Sequence, residues 1–192
     1  MIAIKPDISL PLERTRARIL RVNYAGERGA IAIYSAQLMF KGILANETAA
    51  FLEHAVGHER EHATKFRKAM LERRVAVCPA TFIWVCGGFL LGLVSLAGGN
   101  RGVMACTAAI EEAVHGHLNE QISYLEGRDD ALANLIREIR VEEIEHKKAG
   151  QAGYDPECMA ASSYTGVIKG ITNALIWLAT FGDSTRLKRL MH

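Results

Sequence analysis

Two sets of acidic and imidazole side chains repeat one spacing, and that repeat limits what the chain can fold into. Glu27, Glu59 and His62 are each followed 84 positions later by Glu111, Glu143 and His146. In both sets the second glutamate stands 32 residues after the first and opens a Glu-x-x-His step. Residues i and i+3 of a helix share a face, one turn apart, so each step can aim a carboxylate and an imidazole at one point. A lone glutamate from each preceding helix brings the set to four carboxylates and two imidazoles. Four acidic side chains in a bundle core are very costly unless cations compensate them. This donor set suits two divalent metal ions inside a helical bundle, with imidazole favouring iron. The metal-ligating candidates are therefore Glu27, Glu59, His62, Glu111, Glu143 and His146, and the four glutamates are also the catalytic candidates.

A single Glu-x-x-His step is a weak signal that usually marks a solvated helical face. Glu112 and His115 form a third step outside the repeat, a rival ligand pair that breaks the symmetry. His58 and Glu61 flank one ligand pair, and Glu142 and Glu145 the other. Most of these are expected to face solvent, with one or two turned inward to orient the free nitrogen of a histidine.

The remaining sequence reads as all-α. Its 192 residues fit a single domain with a sizeable core, and the mean hydropathy of +0.07 is high for a soluble protein. Net charge is +2, with no block of basic residues interleaved with aromatics, so no nucleic-acid partner is expected. The four cysteines form no Cys-x-x-Cys, which argues against a zinc or redox motif and fits a reduced compartment. Residues Met1 to Leu12 show no apolar leader. A helical hairpin is expected over 13–74, with Asn46 capping its second helix, and a second hairpin over 101–149, with Asp129 or Asp130 as the cap. An uncharged connection, 75–100, joins them. Its core, Ala80 to Ala97, reads as a buried helix, a helix lying in one membrane leaflet, or a spanning helix; the second is preferred. Residues 150–163 read as a loop, and 164–181 as a last apolar helix. Lys169 and the tail Arg186, Lys188 and Arg189 suit anionic headgroups, the alternative being a frayed, solvated terminus. Two hairpins joined by a long crossover make a ferritin-like bundle.

At these residues the chain resembles the demethoxyubiquinone hydroxylase family of ubiquinone biosynthesis, from about Arg21 to Leu178. The resemblance is carried by the run Arg21-Val-Asn-Tyr-Ala-Gly-Glu-Arg-Gly-Ala30, by His58-Glu-Arg-Glu-His62 and by Met104-Ala-Cys-Thr-Ala-Ala-Ile-Glu-Glu112. His117, Asn119-Glu-Gln121, Glu142-Glu-Ile-Glu-His146 and the apolar run Gly88 to Gly92 add to it. It implies two iron ions (Fe2+/Fe3+) held by the six residues above, dioxygen as co-substrate, and hydroxylation of a polyprenyl quinone intermediate. It also implies peripheral attachment to a membrane surface: the cytoplasmic face of the inner membrane, or the mitochondrial inner membrane in a eukaryote. Reduced nicotinamide is the implied electron donor, although no Gly-x-Gly-x-x-Gly fingerprint is present. A lipid-binding biosynthetic partner protein and a homo-oligomer fit the family. His117 is expected near the site rather than on the metal.

The chain departs from the family at Tyr24, usually His, and at Leu118, usually Tyr. Tyr24 lies three residues before Glu27 and Leu118 seven after Glu111, so both are placed to face the site. Either a phenol has moved from one helix to the other, or the change is neutral drift. The other readings are an iron-handling ferritin-like protein (a ferroxidase), a related quinone-precursor hydroxylase acting at a different ring carbon, and a non-catalytic quinone- or lipid-binding bundle.

Overall fold

The computed structural model describes residues 11–190; the reading of the N-terminal stretch as free of a leader falls almost wholly outside them. Among the described residues seven α-helices follow one another: α1 (Leu12–Leu38), α2 (Asn46–Glu72), α3 (Thr81–Ser95), α4 (Gly99–Leu125), α5 (Asp130–Ala152), α6 (Met159–Ala179) and α7 (Asp183–Leu190). No strand occurs among the described residues. Helices α1 and α2 pack as one hairpin, α4 and α5 as the other, and α3 is the crossover between them. This is a ferritin-like four-helix bundle.

The bundle has two apolar layers with the acidic residues between them. Ile19, Leu20, Phe66, Met70, Leu125 and Ile136 belong to one layer. Ile33, Tyr34, Leu52, Val103, Cys106 and Ile110 belong to the other. On every bundle helix the chain passes from one layer, through its ligand-type residue, to the other. The layers therefore fix where along each helix those residues lie.

Ionic ties close the ends. Asp129 caps α5 by accepting from the Leu132 N–H at 3.1 Å, and both its oxygens accept from Arg73 at 2.9 Å. Arg16 of α1 reaches the same carboxylate at 3.2 Å. Arg73 and the backbone bond hold the Asp129 carboxyl down at about 2. Asn46, expected as the cap of α2, is instead its first helical residue. Ala45 holds the cap position and donates its N–H to Asn100 Oδ1 at 2.8 Å.

Helix α3 is not a buried core helix. Phe82, Leu90 and Val94 are 64%, 62% and 61% exposed, and only Gly92 and Ser95 of α3 are buried. It lies on α1 through glycines: a Cβ on Gly88 would overlap the Gly29 carbonyl, and one on Gly92 would fall 2.5 Å from Ile33 O. Its 15 residues extend for about 22 Å, short of the ~30 Å bilayer core. Among the described residues, only the combined path Thr81–Leu125 is long and apolar enough to cross a membrane, and Gly99, at φ 56°, breaks it where α4 enters the bundle.

Two further expectations change. The loop expected over 150–163 is confined to 153–158, because Gly150 does not terminate α5, which runs to Ala152, and α6 begins already at Met159. Gly150 lets α5 approach α4, where a Cβ would fall 2.7 Å from Ala108 N. The tail is not frayed: α7 is pinned by Leu187, buried in the core, and by Asp183, which accepts from Arg18 at 2.6 Å.

Replacing Gly92 by Ala should destabilise the chain by about 1–3 kcal/mol through overpacking against α1. That corresponds to a fall in Tm of about 2–4 °C per kcal/mol for a chain of this size. Gly166→Ala, on α6 with nothing within 4 Å of the added Cβ, should leave Tm unchanged or raise it. Thermal unfolding of the two variants checks the α1–α3 contact.

Candidate metal centre

The six residues of the repeat converge from four helices. Glu27 comes from α1, Glu59 and His62 from α2, Glu111 from α4, and Glu143 and His146 from α5. All six are buried, with Glu27 the most exposed at 7%. They form two overlapping groups able to hold a metal ion: Glu27, Glu59, His62 and Glu143, and Glu59, Glu111, Glu143 and His146. Within each group the ligand-type atoms lie within 4.8 Å of one another. Glu59 and Glu143 belong to both groups, whereas Glu27 with His62 and Glu111 with His146 each belong to one. The arrangement is that of two adjacent cation positions with two carboxylates between them.

The histidines present Nδ1 to the centre and turn Nε2 outward. His62 Nδ1 lies 3.1 Å from Glu143 and 3.8 Å from both Glu27 and Glu59. His146 Nδ1 lies 3.3 Å from Glu59 and 3.4 Å from Glu143. Outside, His62 Nε2 meets Glu142 at 3.0 Å and His146 Nε2 meets His58 at 3.1 Å. Of the four flanking residues, Glu142 and His58 thus serve as orienting partners. The His58 ring also stacks on His146, with centroids 5.3 Å apart. A partner on the outer nitrogen fixes which inner nitrogen is free to bind.

Glu59 Oε1, Glu143 Oε2 and both inward Nδ1 atoms are buried without a hydrogen-bond partner among the described residues. Buried polar atoms are rarely left so, and four of them aimed at one space fit cations that accept their lone pairs. Electrostatics agree. Burial, then Glu59, raises the Glu27 carboxyl well above its usual range; burial, then Glu143, does the same to Glu111. Burial alone would raise Glu59 too, but His146 and His62 beside it outweigh that and hold it low. Burial opposes charge on His146, yet Glu143 and Glu59 raise it to about 9. Without cations the cluster retains protons in their place.

A cavity of about 240 Å³ lies against the centre on the α1–α4 side. Its floor includes Glu27, Glu59, Glu111 and Glu143, and α3 and α6 supply apolar wall, among them Trp84, Leu91, Ile168 and Leu175. Ile83 and Ile171 line the cavity and are also exposed, which puts its mouth between α3 and α6. Its polar lining includes Asn23 and Gln121, which exchange amide hydrogen bonds at 2.7 and 3.0 Å. His117 lines the cavity too, near the centre but outside both ligand groups.

The rival pair Glu112/His115 lies outside both groups. Glu112 pairs with Lys147 at 2.5 Å, and Asn119 lies 3.1 Å from His115 Nε2. Leu118 lines the cavity, but Tyr24 packs half-buried against the apolar layer containing Ile19 and is absent from the lining. The phenol that reaches the centre is Tyr34, which sequence reasoning missed. Its hydroxyl donates to Glu111 Oε1 at 3.0 Å, and burial, then Glu111, raises its pKa well above normal. The available signal was its position, two helical turns after Glu27 on the same face.

A family model described as ubiquinone biosynthesis protein COQ7 matches residues 14–179. A 3-demethoxyubiquinol 3-hydroxylase of Rhodospirillum rubrum is 35% identical over 162 residues, spanning 84% of this chain and 76% of that protein. An NADPH-dependent 3-demethoxyubiquinone 3-hydroxylase, mitochondrial, of Homo sapiens is 35% identical over 161 residues, spanning 82% of this chain and 71% of that protein. A 5-demethoxyubiquinone hydroxylase, mitochondrial, of Saccharomyces cerevisiae is 29% identical over 177 residues, spanning 84% and 76%.

Metal and protons should compete for this cluster. Burial and neighbouring carboxylates raise Glu27 and Glu111, so both hold protons more readily than ordinary carboxyls, and His146, raised to about 9, favours its protonated form at neutral pH. Adding Co(II) to metal-free protein should release protons, and apparent affinity should climb as pH rises toward about 9. Calorimetry in buffers of different ionisation enthalpy checks this; binding without proton release would contradict the assigned protonation.

Proposed function

We propose, from the premise that the chain belongs to the ubiquinone biosynthesis protein COQ7 family, that it hydroxylates the ring of a polyprenylated demethoxyubiquinone-type intermediate. The observation that carries this reading is the apolar cavity with four carboxylates as its floor and its mouth between two exposed apolar helices. Glu27 and His62 would hold one iron and Glu111 and His146 the other, with Glu59 and Glu143 available to both, and all four glutamates would serve the catalysis. Iron, when bound, supplies the activation of dioxygen that an aromatic ring alone cannot achieve.

The chain's own groups do the rest. One oxygen atom enters a ring C–H bond; the other leaves as water, taking two electrons and two protons. Reduced nicotinamide supplies the electrons, in line with the NADPH dependence in the names of several relatives. The cavity admits an aromatic head group but not a long prenyl tail. Walls from α3 and α6 hold the ring over the carboxylates and exclude water, and the paired amides of Asn23 and Gln121 offer a donor and acceptor to ring oxygens. The tail then runs out between Ile83 and Ile171 along apolar faces that rest on a membrane surface, leaving α3 in one leaflet. A lipid-binding partner presenting the substrate would dock at the same mouth. An iron-handling role is less well supported, because an aliphatic approach suits a quinone and not a hydrated cation.

Cells lacking this protein should accumulate the demethoxy intermediate, seen by mass spectrometry. The wild-type chain should clear it and Glu59→Ala should not, with helical content retained by circular dichroism. Clearance by Glu59→Ala would remove Glu59 from the catalytic set. Accumulation of a different under-hydroxylated intermediate would move the reaction to another ring carbon.

A further inference from the structure

We propose that Tyr34 is a positioning residue that fixes the Glu111 half of the metal centre, leaving the Glu27 half as the adjustable half. The inference rests on the ligand set proposed above.

The 84-residue repeat extends beyond the six candidate ligands. His58 and Glu142 are 84 positions apart, and each meets the outward nitrogen of the histidine from the other hairpin. The same shift pairs Tyr34 with Leu118. Tyr34 crosses from α1 to donate its hydroxyl to Glu111 on α4 at 3.0 Å. The approximate twofold that exchanges the hairpins places residue 118 of α4 to do the same for Glu27 on α1. A leucine stands there, 3% exposed and lining the same cavity as Glu27, and it carries no donor. Among the described residues, no side chain outside the six-residue cluster donates to Glu27.

The consequences differ on the two sides. Glu111 has one oxygen committed to a phenol, so its carboxylate is held in one orientation. Glu27 has both oxygens free of partners outside the cluster, so it can change how it engages a cation when a ligand enters the cavity that both carboxylates line. The histidines add to the difference. His62, in the Glu27 half, has the Glu142 carboxylate behind it, whereas His146 has the His58 imidazole. A carboxylate partner makes an imidazole the stronger donor. One half is rigid and weakly donating, the other mobile and strongly donating, and the carboxylates of both line the cavity.

Metal-free protein titrated with Co(II), followed by calorimetry and visible absorption, tests this. Wild type should bind two equivalents. Tyr34→Phe, which removes one oxygen atom and keeps the ring, should weaken one equivalent about tenfold and shift its absorption while sparing the other. Leu118→Tyr, which has the cavity to grow into, should alter the equivalent that Tyr34→Phe spares. Circular dichroism and thermal unfolding establish that both variants fold. Unchanged or equal effects on the two equivalents in Tyr34→Phe would overturn the positioning role, as would an unaltered second equivalent in Leu118→Tyr. Wild type that binds two equivalents in either case keeps the ligand set standing; wild type that binds none would remove the ligand set and this inference together.

Discussion

Four carboxylates share one buried space, and the rest of the molecule is arranged around that fact. Charges taken out of water repel one another strongly in a low-dielectric interior, so the centre must hold protons or cations. The raised Glu27 and Glu111 carboxyls and the raised His146 show the proton-holding form. Such a site persists only where the surroundings are too well packed to open. The two apolar layers above and below it, and the Arg16–Asp129–Arg73 tie at one end, supply that packing.

The arrangement of the six residues was legible because it depends on helical periodicity alone. A Glu-x-x-His step fixes two side chains on one face, and an 84-residue shift fixes the relation between the two hairpins. What could not be read were contacts decided by packing between helices. Gly150 resembles a helix stop, yet its missing Cβ serves a close approach to Ala108 and α5 runs on. Asn46 has the side chain of a cap but lies one residue inside α2, because Asn100, remote in sequence, reaches Ala45. Tyr34 looks like one more core aromatic until α4 is docked and Glu111 comes within reach of its hydroxyl. Tyr24, nearer to Glu27 in sequence, turns into the apolar layer instead.

Helix α3 shows how composition can be misread without a packing partner. Its uncharged sequence fits a core helix, a leaflet helix or a span. The packing comes from Gly88 and Gly92, which let it lie flat on α1 and leave Phe82, Leu90 and Val94 outside. That placement also builds the cavity, since Trp84 and Leu91 on the inward side of α3 form wall above the Glu27 carboxylate. The same short helix therefore closes the site from water and carries exposed apolar surface to its mouth.

The centre divides the bundle into two unlike sides. Toward α1 and α4 lie the cavity, Leu118 and the aliphatic wall. Toward α2 and α5 lie Glu142, His58 and His54, whose ring meets His58 edge-on with centroids 4.1 Å apart. A duplicated pattern would make two equal half-sites if every pair in it matched. The candidate ligands do match, and the partners behind them do not: carboxylate against imidazole at 142 and 58, apolar side chain against phenol at 118 and 34. Holding two cations needs only the matched residues. Fixing one of them while the other adjusts, as proposed for Tyr34, needs the mismatched ones.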